Sequence, residues 1–127
     1  GHLDHAHLIA SHAETTARSI TNPDYQAQEL TELVTVLVGM GHLNHAETIS
    51  HAITHPDAQA QVLTLLMTAL ARTGRLDHAE TIALSITDLD YRARALTRLV
   101  TVAADAGHLD HAHLIASHAE TTARSIT

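Results

Sequence analysis

The chain repeats itself every 33 residues. Gly41, Gly74 and Gly107 are spaced by 33, and so are Asn22, His55 and Asp88, and the His-Ala-Glu-Thr runs that begin at His12, His45 and His78. Placed side by side, residues 41–73 and 74–106 are identical at 16 of 33 positions. A period of this size constrains the fold strongly. Each unit is one supersecondary element that buries its apolar face only against its neighbours.

Each unit parses into two helices. Asn44 with Glu47, and Asp77 with Glu80, have the spacing of a capping box for the first helix. In the third unit that helix is expected to run to about Ile86, with Asp88 capping a second helix from Leu89. Asn22-Pro23-Asp24 shows the same start: a cap residue, Pro at the first helical position, then an acid facing the helix dipole. Gly107 suits the left-handed position that closes the second helix. Apolar residues recur at helical spacing in the second helices: Leu30, Leu33, Val34 and Leu37; Leu63, Leu66, Met67 and Leu70; Leu96, Leu99, Val100 and Ala103. No alternating strand pattern competes. With 45% hydrophobic residues the chain can build a core, and without Cys, Trp or Phe that core must be aliphatic.

The first unit is longer by a duplicated heptad, residues 4–10 standing before residues 11–17. Leu3, Ala6, Ala10, Ala13, Ala17 and Ile20 then form an unbroken seam, which predicts one continuous helix about 10 Å longer than its cousins. Residues 107–127 are identical to residues 1–21 at all 21 positions. A 106-residue period has therefore begun again. The units are 1–40, 41–73 and 74–106, with 107–127 a partial fourth, all read as one array. The same seam recurs at Leu109, Ala112, Ala116, Ala119, Ala123 and Ile126.

The run Gly-x-Leu-Asp/Asn-His-Ala at Gly1, Gly41, Gly74 and Gly107 resembles the signature at the middle of a tetratricopeptide repeat. Leu30, Leu63 and Leu96 stand where that family has Trp, and Pro23 and Pro56 match its closing Pro, which is Leu89 in the third unit. The resemblance covers essentially the whole chain. It implies an all-α, right-handed superhelical α-solenoid of about seven helices, with the second helices lining a concave face. On this sequence that face maps to Gln28, Thr31 and Thr35, to Gln61, Thr64 and Thr68, and to Arg94, Thr97 and Thr101. The expected floor is polar and largely uncharged. Two accounts of the Thr rows stay open, a binding surface or filler on a solvated helix face.

Thirteen His are present. The spacings of His51/His55, His2/His5, His42/His45 and His108/His111 suit a shared metal on a helix, but most of these pairs straddle a helix start and no third ligand recurs. They are read as polar filler at helix N-termini, with His12, His45, His78 and His118 facing solvent. Protonation beside a helix N-terminus is unfavourable, which predicts weaker stability or assembly between about pH 7 and pH 5.

The charge of −7, with seven Arg and no Lys, supplies no phosphate-tracking surface, so no nucleic acid is expected. The longest nearly apolar stretch, 33–40, is too short for a bilayer, and there is no signal-peptide pattern, so a cytoplasmic protein is expected. The chain opens at a Gly inside the repeat motif, as an excised segment would. Catalytic constellations are missing: no Cys or Lys nucleophile and no Gly-rich phosphate loop. The expectation is a non-enzymatic scaffold without metal or cofactor that binds a protein, a peptide or itself. Self-assembly would run head to tail through the matched end helices, marked by Leu3, Ala6 and Ala10 and by Leu109, Ala112 and Ala116. The alternatives are a peptide-recognition arm of a larger regulator and an engineered repeat protein with no natural ligand.

Overall fold

A computed structural model describes residues 2–126, and side chains from residue 8 onward apart from that of residue 10. Among the described residues the chain is all-α, with no strand: α1 (His2–Arg18), α2 (Pro23–Gly39), α3 (Leu43–Ala52), α4 (Pro56–Arg72), α5 (Leu76–Leu84), α6 (Leu89–Asp105) and α7 (Leu109–Arg124). The chain separates into two compact units, Gly1–Val62 and Leu63–Thr127, and the division falls inside α4. In the first, α2 packs against both α1 and α3; in the second, α6 packs against both α5 and α7.

The second helices carry the core because their apolar residues recur every three or four positions. Leu30, Val34 and Leu37 of α2 are buried with Ala17 of α1 and Ala46 and Ile49 of α3. In the second unit Leu66, Met67 and Leu70 of α4 are buried, as are Ala79 and Ile82 of α5, Leu96, Leu99 and Ala103 of α6, and Ile115 of α7. Leu33 and Val100, expected in the same rows, are only half-buried.

Helix starts differ between the two kinds of helix. Asn22 Oδ1 accepts from the backbone N–H groups of Asp24 (3.0 Å) and Tyr25 (3.2 Å), and Asp88 Oδ1 accepts from that of Tyr91 (3.1 Å), as their cap positions predict. The capping boxes expected of Asn44 and Asp77 do not form. The caps of α3, α5 and α7 are His42, Arg75 and His108, without a side-chain cap bond. The reason lies in the glycine before each. Gly41, Gly74 and Gly107 have φ of +80°, +84° and +87°, a region open to glycine. Their N–H groups donate to Val38, Ala71 and Ala104, and the next residues, His42, Arg75 and His108, donate to Leu37, Leu70 and Ala103 at 2.9 Å. This pair of bonds is the Schellman closure. One residue thus ends one helix and opens the next, and Asn44 and Asp77 fall inside the first turn.

α1 is one continuous helix of 17 residues, and α7, with the same sequence, has 16, against 10 in α3 and 9 in α5. The seven-residue insertion lengthens the helix and does not break it. α5 ends at Leu84, two residues short of expectation, although Ile86 beyond it is still buried. A bond that sequence reading missed fastens this corner. Arg92 Nε donates to the Ile86 carbonyl (2.8 Å), and Gln59, 33 residues earlier, donates through Nε2 to the Ile53 carbonyl (2.9 Å).

Candidate functional site

In the first unit, Gln28 and Thr35 are exposed on α2 and Thr31 is half-buried; Gln61 is exposed on α4. Gln28, Thr31 and Gln61 line one recess of about 430 Å³. Its floor is not uncharged as expected, because Asp24, Glu32 and Asp57 line it too, with His55. Asp24 and Asp57, the acids in the first turns of α2 and α4, thus also line this recess. In the second unit Thr64 and Thr68 are half-buried on α4, and Arg94, Thr97 and Thr101 are exposed on α6.

The Thr hydroxyls of these rows turn back to their own helices. Thr31, Thr35, Thr68, Thr97 and Thr101 each donate to the carbonyl four residues earlier, at 2.7–3.3 Å. Their donors are therefore spent on the helix, and what they present outward is a methyl group and an acceptor oxygen.

Of the His expected to face solvent, His12 and His118 are exposed, and the expectation is corrected at His45. His45 does not face solvent: its Nε2 lies 3.0 Å from Glu14 Oε1, with 14% of its side chain exposed. Glu14 stands on α1 and His45 on α3, so the pair joins the first helices of successive repeats. His118 of α7 meets Glu80 of α5 in the corresponding place, and His111 Nε2 lies 3.3 Å from Asp77 Oδ1. Burial pushes the Glu14 carboxyl up, but the hydrogen bonds from His45 and Arg18 and the Arg18 charge outweigh it, leaving the carboxyl below its usual range. The sequence offset between a Glu and the next unit's His is 31 for Glu14 and His45 but 38 for Glu80 and His118, because the seven-residue insertion lies between the latter pair. Among the described residues no group of three or more His, Asp or Glu could hold a metal ion.

The end helices hold the most informative geometry. Leu3, Ala6 and Ala10 lie outside the described side chains. In α7, Ala112 is buried and Ala116 half-buried, but Leu109 is 67% exposed. Burial in α7 falls on Ala112, Ile115 and Thr122, while Ala123 and Ile126 of the expected seam are exposed. The corresponding residues of α1 show the reverse. Ile9 and Thr16 are exposed, Ala17 is buried and Ile20 half-buried. One sequence thus has two apolar faces, one turned to the helix before it and one to the helix after it. The seam had merged them. Each end of the chain leaves bare the face that the other end buries.

Comparison with family models, with curated proteins and with solved structures finds no match.

Proposed function

We propose that this chain is a non-enzymatic, tetratricopeptide-like repeat module of the cytoplasm that assembles with copies of itself, head to tail, through its two end helices. The observation that carries the reading is the reversed burial of one 21-residue sequence, with Ile115 buried and Ile9 exposed, Ala17 buried and Ala123 exposed. A helix placed inside a longer array would bury both faces at once, so each end supplies what the other lacks. Such contacts join unlike surfaces and continue into open chains unless the rotation closes a ring.

Solution mass by light scattering, followed over a wide concentration range, tests this. Mass that grows with concentration and returns on dilution is expected; a fixed monomer mass up to the solubility limit would remove self-assembly from consideration.

A second reading, peptide recognition, draws on the recess of the first unit. With Asp24, Glu32 and Asp57 around it, the peptide it fits is basic. Titration with an Arg-rich peptide should then saturate, and Asp57→Asn should weaken it; a flat titration eliminates this reading.

A further inference from the structure

Two surfaces of this chain are built from one set of residues. On α7, which packs against α6, Ile115 and Thr122 are buried. On α1 their counterparts Ile9 and Thr16 are open. With Ala13 they line a trough of about 680 Å³ that Tyr25 and Glu29 of α2 also line. The polar partners match as well. His118 meets Glu80 of α5, and its counterpart His12 is exposed at the trough.

We infer that the trough on α1 is the docking site for α6 of a second copy of this chain, and that α7 of that copy is its built-in competitor. This rests on the self-assembly reading above and specifies its joint. The second copy's α6 is already covered by its own α7, whose sequence is that of the incoming α1 at all 21 positions. The contacts formed by the newcomer repeat those given up, residue for residue: Ile9 for Ile115, Thr16 for Thr122, His12 for His118. An exchange of identical elements is nearly neutral in contact energy, so the intact chain joins only as far as concentration drives it. Whatever loosens α7 from α6 then favours the joint, because α1 keeps an undamaged copy of the same face.

The test uses the full chain and three variants. Ile115→Asp places a charge at a fully buried position and should free α7, while Ile9→Asp sits at an exposed one. Far-UV circular dichroism first checks that helix content outside α7 is kept. By light scattering, Ile115→Asp should self-associate about tenfold or more tightly than the unaltered chain. Ile9→Asp alone should be monomeric, and the double variant should be monomeric too, since the trough is then spoiled in every copy. A peptide with the sequence of residues 107–127, added in trans, should return the Ile115→Asp assemblies to monomers by covering α6.

If the unaltered chain self-associates but Ile115→Asp does not associate more tightly, assembly stands and the exchange is wrong. Assemblies of Ile115→Asp that survive Ile9→Asp overturn the docking site, as would general stickiness from a damaged helix. A folded, monomeric Ile115→Asp beside a monomeric unaltered chain defeats both the exchange and self-assembly.

Discussion

α1 and α7 have the same residues and different surroundings. In α1 the side of the helix carrying Glu14 and Ala17 is the buried one; in α7 it is the side carrying Ile115 and Thr122. Nothing local chooses between them. The helix forms in both places because its propensity and periodicity are the same, but which face counts as core is settled by whether a helix precedes or follows it. A residue's contribution to stability is thus a property of its place in the order of repeats.

Paired substitutions can break or sharpen this contrast, and the largest effect is expected at the isoleucines. Ile115→Ala should cost about 2–4 kcal/mol in urea unfolding, whereas Ile9→Ala, at a 56% exposed position, should stay within about 0.5 kcal/mol. Equal losses at both would mean that the two ends are buried alike. The alanines should answer in the opposite sense. Ala17→Leu overfills a position that is 5% exposed and should destabilise by about 1–3 kcal/mol; Ala123→Leu should be nearly silent in the same melts.

A smaller contrast is expected at the glutamates. Glu14 has 18% of its side chain exposed and bonds to His45 and Arg18; Glu120 has 63% exposed and reaches Arg124 at 2.7 Å. Glu14→Gln should cost about 1 kcal/mol and Glu120→Gln less than about 0.5 kcal/mol at neutral pH. Because the folded state holds the Glu14 carboxyl below its ordinary value, its contribution is complete above the unfolded-state value. It is lost as acid carries the pH down through the lowered folded value. Unfolding measured from neutral pH into the carboxylate range should therefore lose part of its acid slope in Glu14→Gln. An effect of the same size as Glu14→Gln, about 1 kcal/mol, is expected from Gly107→Ala, since the residue must take up φ of +87° although there is open space for a methyl group. A thermal melt unchanged by that substitution would show that the closure before α7 is not under strain.

Much of the fold was legible because it rests on local rules repeated several times. The 33-residue glycines, the caps at Asn22 and Asp88 and the aliphatic rows of α2, α4 and α6 were all readable from spacing, and the long α1 from its seam. The misplaced starts of α3 and α5 have a physical cause. Asn44 and Asp77 are good cap residues, but the Schellman closure fixes the helix start one turn-residue after the glycine, and a cooperative backbone motif outweighs one side chain. The pairing of His45 with Glu14 was harder to see, since it links residues 31 apart that no helical periodicity relates. The two faces of the end helix could not be separated at all from sequence. A seam of Leu, Ala and Ile states that a helix is apolar on one side, and only the neighbours divide that side in two.

The length of α1 and α7 sets a rule for how such a chain can change. Seven residues turn an α-helix through nearly two full revolutions, leaving it about 20° out of phase. The duplicated heptad therefore pushes the helix start outward while every residue beyond it keeps its bearing, so that Glu14 still meets His45. An insertion of five would swing the same residues to the far side and part that pair. Units in this array can be lengthened in steps of seven, and each such step adds surface at one rim while the joints between repeats stay in register.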